Sequence, residues 1–427
     1  MRLSFILSLF FVLLAFVLMS FGQEAGPRIV APEAILRDMP VVISVSGLRP
    51  DTVYSLRVEF ASRAGTIWRS DAEFRSDTKG SIDLSTAAPV SGAYSTIDPT
   101  GPLWSMQNSK ERSSDGLTFD SDDQSVLNVM IRDGDKNVAQ QYIILKNRDI
   151  GVSTTELRGD ITGSFISPRT TGRAPAVIVL GGSEGGITRP HAALIASHGF
   201  PTLALGYFGM DKLPNDLERI PLETVDRAVN WLSKQPGVDP SRIIVLGMSK
   251  GAELALLAAS RNPRIKGVIA ISPSSVVWEG ISQGSTSLSS WTAGGRDITF
   301  APYVKTDEYA RSHRLIDLYE ASLDKAPPES IIPVERIAGP VLLISGKIDA
   351  LWPSSRMADA IAARLAAKNF KYVVLNRQWD YVGHHVGGVP NRPTADSVRW
   401  GGTAQAIAKA QFEAWREMVT FLNSLKR

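Results

Sequence analysis

The 427-residue chain contains no cysteine. That absence excludes disulfides, thiolate metal sites, iron–sulfur clusters, a cysteine nucleophile and a lipid-modified N-terminal cysteine. Histidine is nearly as scarce: His191, His198, His313, His384 and His385 are the whole set, so any imidazole chemistry has a short candidate list. An excess of charge of one sign is also lacking. Lys and Arg total 46 against 43 Asp and Glu, a formal net of +3, and no dense basic run offers the footprint of a nucleic-acid binder. With 44% hydrophobic and 21% charged residues, 35 Gly and 25 Pro, the chain is neither disordered, fibrous nor a polytopic membrane protein. Its length is comfortable for two domains.

One long apolar run is present, at the start. Arg2 is the only charged side chain before Glu24, and residues 3–21 are rich in Leu, Phe and Val. A basic start, an apolar run and the small residues Ser20 and Gly22 predict a signal peptide over 1–22, cleaved after Gly22, and hence an exported protein, periplasmic or secreted. The alternative is an uncleaved anchor, because about 20 apolar residues can just span a bilayer. Only then would the protein be tied to a membrane, since no later segment is apolar enough to span.

Two rhythms follow. From 27 to 148, short apolar runs at 41–45, 54–60, 66–69, 72–75, 81–84 and 128–132 are separated by turn residues such as Lys79-Gly80 and Asp133-Gly134. Many short strands with frequent turns predict an immunoglobulin-like antiparallel β-sandwich. From 151 to 427, apolar strands at 176–180, 201–205, 242–246, 267–271, 340–344 and 372–375 alternate with helical stretches, among them 191–198, 223–234 and 404–425. That alternation predicts an α/β domain with a mostly parallel sheet covered on both faces. Residues 274–333 break the rhythm and are expected to form a lid or cap insertion over the sheet edge.

The chemistry concentrates where the strand at 242–246 runs into Gly247-Met-Ser249-Lys-Gly251 and a helix begins. A serine at a sharp strand-to-helix turn has its hydroxyl pushed out at the carboxyl edge of the sheet. Glycines on either side are needed where a Cβ would collide with the neighbouring strand and helix. A serine hydroxyl is a weak nucleophile without a base, and in this arrangement the chain order is Ser, then acid, then His. His191 and His198 precede Ser249 and drop out, and His313 lies in the insertion. His384 and His385 remain, in a glycine-containing loop; His384, directly after Gly383, is the preferred base. Asp349, at the carboxyl end of the strand at 340–344, is the preferred acid, with Asp380 as competitor. The oxyanion hole is expected from the backbone N–H of Lys250 and from the loop Gly181-Gly-Ser-Glu-Gly-Gly186, at Ser183 with Glu184 as fallback.

With these residues in place, the chain resembles the family of acyl-CoA thioesterases and bile acid-CoA:amino acid N-acyltransferases. The likeness is carried by Ile43-Ser-Val-Ser-Gly-Leu-Arg-Pro50, Trp68-Arg-Ser-Asp-Ala-Glu-Phe74 and Gly101-Pro-Leu-Trp-Ser-Met106 in the first region. In the second it is carried by residues 176–186, His198-Gly-Phe-Pro-Thr-Leu-Ala-Leu205, Leu246-Gly-Met-Ser-Lys-Gly-Ala-Glu-Leu254 and Trp400-Gly-Gly402. It implies an α/β-hydrolase domain after the sandwich, with the family's triad on Ser249, Asp349 and His384. The activity it implies is hydrolysis of acyl thioesters such as acyl-CoA, with no cofactor and no metal. A carboxylesterase or peptidase on the same scaffold, an N-acyltransferase and a non-catalytic binding protein are the alternatives.

Overall fold

The computed structural model describes residues 26–62, 65–108, 124–169, 172–282, 284 and 287–426; the expected signal peptide lies outside them. The first region is a β-sandwich. A three-stranded antiparallel sheet orders Arg28–Val30, Ser44–Ser46 and Ile82–Asp83. It faces a larger, mostly antiparallel sheet built on Val53–Ala61, Ile67–Arg75, Gln124–Asp133 and Lys136–Lys146. Val45, Leu56, Val58, Phe74, Val129 and Ile143 fill the space between.

The short strands Arg28–Val30 and Ala34–Leu36 were not expected, and two longer strands also differ from expectation. The runs at 66–69 and 72–75 are one strand, Ile67–Arg75. Its polar middle is satisfied there: Asp71 pairs with Arg57 at 2.6 Å and Ser70 Oγ meets Ser105 Oγ at 2.8 Å. The strand Lys136–Lys146 was not anticipated, because its first half is polar and partly exposed. The Asp133-Gly134 turn closes it into a hairpin against Gln124–Asp133.

The second region is an eight-stranded sheet: β1 (Val152–Leu157), β2 (Gly163–Pro168), β3 (Ala174–Leu180), β4 (Thr202–Leu205), β5 (Val238–Met248), β6 (Ile265–Ile271), β7 (Val341–Gly346) and β8 (Val374–Trp379). The order is β1-β2-β4-β3-β5-β6-β7-β8, antiparallel at β1-β2-β4 and parallel from β4 onward. This is the α/β-hydrolase arrangement. The inner parallel strands, such as β3 and β7, are apolar on both faces, as a doubly covered sheet demands, whereas β8 at the edge carries Asn376, Arg377 and Gln378. Ile178 and Leu180 of β3 pack toward helices α2 (Glu223–Leu232), α3 (Lys250–Arg261) and α4 (Ser354–Ala367). Val177 and Val179 face α1 (Arg189–Ser197) and α5 (Ala404–Ser424) instead. The antiparallel β1 and β2 escaped the sequence reading because β1, Val-Ser-Thr-Thr-Glu-Leu, is a largely exposed edge strand with no apolar run.

Residues 274–333 do not roof the site. Their Trp278 and Tyr319 form a small aromatic core with Trp352, from beyond the insertion, the rings meeting edge to face or stacked. None of their described members lines the cavity that holds Ser249. Their anchor is α3: Trp278 N–H and Trp291 Nε1–H both donate to Glu253 Oε1, at 2.9 and 2.6 Å. Among the described residues, no helix is long and apolar enough to cross a membrane.

Candidate active site

Ser249 stands between β5 and α3 with φ +53 and ψ −122, a conformation that costs a non-glycine residue about 1–3 kcal/mol. The neighbouring glycines make it possible. A Cβ on Gly247 would lie 2.0 Å from the Gly251 carbonyl oxygen, and one on Gly251 would lie 2.1 Å from that of Gly181. The Ser249 N–H donates to Ile271 O at 2.9 Å, tying the turn to β6. The first N–H groups of α3 have no partner within the helix and present positive partial charge beside the hydroxyl.

Asp349 follows β7. Its side chain is buried and fully engaged: Oδ1 accepts from Leu351 N at 3.0 Å and Trp352 N at 3.3 Å, and Oδ2 accepts from Ser354 Oγ at 2.6 Å. Oδ2 also meets His384 Nδ1 at 2.8 Å. With Nδ1–H donating there, Nε2 is the basic nitrogen. The His384 ring is held between Trp352, edge to face at 5.8 Å, and Trp400, stacked at 6.0 Å. Its own N–H donates to Trp400 O at 2.8 Å, and its carbonyl accepts from Ser272 Oγ at 2.8 Å.

Ser249 and His384 line one cavity of about 590 Å³. No hydrogen bond joins their side chains among the described residues. His385 is exposed at the rim, tilted over Trp400 at 4.8 Å, and makes no bond to Asp349. Asp380 is an exposed partner of Lys347 at 2.8 Å.

Ser183 and Glu184 lie exposed on the same cavity wall. The Gly182 N–H is already used, donating to Glu184 Oε1 at 2.9 Å, and Tyr207 Oη fixes the loop by donating to Gly181 O at 2.6 Å. Lys250 turns its side chain down, away from the cavity. Its ammonium lies 2.6 Å from Glu253 Oε2 and donates to Ser290 Oγ at 2.8 Å, with both side chains essentially inaccessible. Burial pulls the Lys250 ammonium below its ordinary pKa and pushes the Glu253 carboxyl above its own, each opposed by the partner's charge.

Three contributors were not anticipated: Ser354 and Ser272, which hold the acid and the histidine's backbone, and His191, whose Nε2 meets Gly387 O at 3.0 Å. Ser272 directly follows β6 at the carboxyl edge of the sheet, where site residues of parallel sheets gather, and could have been found on that ground. His191 was set aside by chain order alone; it lines the cavity without being a base candidate. No group of three or more His, Asp or Glu suited to a metal ion occurs among the described residues.

Residues 38–144 match the model of the acyl-CoA thioester hydrolase/BAAT N-terminal region, and residues 220–425 match the BAAT/acyl-CoA thioester hydrolase C-terminal model. Mouse acyl-coenzyme A thioesterase 2, mitochondrial, is 30% identical over 408 residues, covering 90% of this chain and 86% of its own. Mouse acyl-coenzyme A thioesterase 3 is 29% identical over 423 residues, 93% of this chain and 95% of its own. Among solved structures, a Pyrobaculum calidifontis esterase overlaps 65% of this chain and 87% of its own at 19% identity, with a TM-score of 0.42. The chain belongs to the acyl-CoA thioester hydrolase/BAAT family.

Proposed function

We propose that this protein is a serine hydrolase that cleaves acyl thioesters, acyl-CoA among them, to free acid and thiol. The observation that carries the reading is the Asp349–His384 bond at 2.8 Å beside a serine held at positive φ on the wall of the same cavity. Ser249 attacks the carbonyl while His384 Nε2 takes its proton, and Asp349 keeps the imidazole in the required tautomer and stabilises its cation. The Lys250 and Ser183 N–H groups receive the oxyanion. His384 then protonates the departing thiolate and, in the second half, activates water against the acyl-enzyme. The relatives named as thioesterases support the substrate class.

The nucleophile's element favours water over an amine as acceptor. With no cysteine in the chain, the acyl group is held as an oxygen ester, which reacts with amines less readily than a thioester would. The purified protein incubated with acyl-CoA and excess glycine or taurine should yield free acid and CoA, and the mass spectrum should show an acyl adduct on Ser249. A dominant N-acyl amino acid would make the enzyme a transferase. Turnover of oxygen esters or peptides in place of every acyl-CoA offered would move it to the esterase or peptidase reading. We also propose export through residues 1–22. Recovery of the protein from periplasm or medium with Gln23 as its first residue tests this, and an intact N-terminus in the membrane fraction counts against it.

A further inference from the structure

The loop that carries His384 runs on through Gly387, Gly388 and Val389, which line the cavity, and its far end is gripped by the sandwich. Arg37, just past the sandwich strand Ala34–Leu36, is only 5% exposed. Its guanidinium makes three bonds to neutral acceptors: Nε donates to Asn147 Oδ1 at 2.9 Å, one terminal nitrogen to the Asn391 carbonyl at 2.9 Å, and the other to Ser125 Oγ at 2.8 Å. Asn391 returns the contact, its side-chain nitrogen donating to the carbonyls of Arg37 and Met39, both at 2.8 Å. Asn391 is itself buried and held at φ +54. Three residues on, the Thr394 N–H donates to Trp104 O at 2.9 Å, and Thr394 is again a cavity residue.

This differs from two domains merely touching. A buried guanidinium without a carboxylate among these partners is costly unless its fork is well satisfied, and burial has drawn the Arg37 pKa down to about 9. The contact fixes one stretch of the hydrolase region, seven residues beyond His384 and continuous with the cavity wall. We propose that the Arg37–Asn391 clasp makes the sandwich part of the catalytic unit, with Arg37 and Asn391 as positioning residues for the His384 loop. The proposal rests on the reading of His384 as the base.

The test compares wild type with Arg37→Met, Arg37→Lys, Asn391→Gly and Gln405→Ala. Asn391→Gly removes the carboxamide bonds but tolerates the left-handed backbone. Gln405→Ala breaks a different contact between the regions, the 2.6 Å bond from Gln405 Nε2 to Thr96 Oγ1. Each variant is assayed for cooperative unfolding, kcat and KM on an acyl-CoA, the pH profile of kcat/KM and the rate of fluorophosphonate labelling at Ser249. We expect Arg37→Met and Asn391→Gly to stay folded, to lose tenfold or more in kcat and labelling rate with KM changed less than threefold, and to shift the acid limb of the profile. Arg37→Lys should recover part of the loss, and Gln405→Ala should match wild type. Folded Arg37→Met and Asn391→Gly proteins with wild-type kcat and profile overturn the clasp, and so does unfolding of both, which would make the contact structural only. Wild type that neither labels at Ser249 nor turns over sinks the underlying mechanism instead, a result separable from the first.

Discussion

The two sides of the cavity are built on different principles. The Ser249 side is local: a strand, a two-glycine turn and a helix place the hydroxyl, and the partners that matter lie within a few residues or on the adjacent strand. Its buried charges are one helical turn apart, Lys250 and Glu253, although Ser290, Trp278 and Trp291 complete their hydrogen bonds from a distance. The His384 side is assembled from a distance. Its loop is held by Asp349 and Ser272 from neighbouring strand ends, by His191 of α1, by Gln411 and Trp415 of α5, and by Arg37 of the sandwich. On the proposed mechanism, a nucleophile needs a rigid, strained stage, which backbone packing supplies. An imidazole that exchanges protons with two partners, as proposed for His384, needs a directed mount, and many single bonds supply that.

The sharpest way to break the comparison is at the reacting atoms. Ser249→Ala should leave a folded protein whose turnover falls by roughly 10⁴-fold or more, because only the oxyanion hole and binding remain. His384→Ala should be comparably damaged. His385→Ala, which loses ring contacts with Trp400 and His384 but no bond to Asp349, should keep most of its activity. Steady-state kinetics on an acyl-CoA decide all three, and an exchange of the two histidine phenotypes would mean that the base is His385.

Beneath the nucleophile, the expected loss is one of stability. Lys250→Met leaves the Glu253 carboxylate buried without its cation and should cost about 3–5 kcal/mol. Adding Glu253→Gln removes the orphaned charge and keeps an oxygen for Trp278 N–H and Trp291 Nε1–H, so the double variant should be more stable than Lys250→Met alone. Urea unfolding midpoints measure both. If the double variant is the less stable of the two, the pair is not the source of the penalty.

Legibility follows the same division. Gly247-x-Ser249-x-Gly251 could be read because every constraint on it acts within a few positions, and β3 could be read because burial on both faces leaves a continuous apolar run. Asp349 was accessible through its place after β7, and chain order narrowed the imidazole to two adjacent candidates. Of the two, only His384 is bonded to Asp349, a difference that depends on side-chain direction, which no pattern in the loop encodes. Arg37 and Asn391 are 354 positions apart, and neither carries a local signature, so their clasp was invisible. Residues 274–333 misled for a related reason: a break in the β/α rhythm marks an insertion but not the face it covers. The Trp and Tyr residues that bury it against α3 and α4 look, in sequence, equally suited to a lid.

The smallest effect expected is a change in how stability depends on pH, on the histidine side alone. His191 is buried in α1, with Nε2–H donating to Gly387 O and no partner at Nδ1 among the described residues. Burial lowers its pKa from 6.5 to about 4; Arg392 adds to the shift and the Gly387 bond opposes it. Between those two values the unfolded chain binds a proton that the folded one refuses. The contribution of neutral His191 is therefore complete above pH 6.5 and is lost as pH falls toward 4, by about 2 kcal/mol at pH 5. His191→Gln offers an amide N–H toward Gly387 but cannot titrate. Urea midpoints at pH 7 and pH 5 should show the wild type losing about 2 kcal/mol more than the variant over that interval. Equal losses would mean that the folded imidazole takes up its proton at an ordinary pH, and that α1 is no rigid part of the mount on which His384 depends.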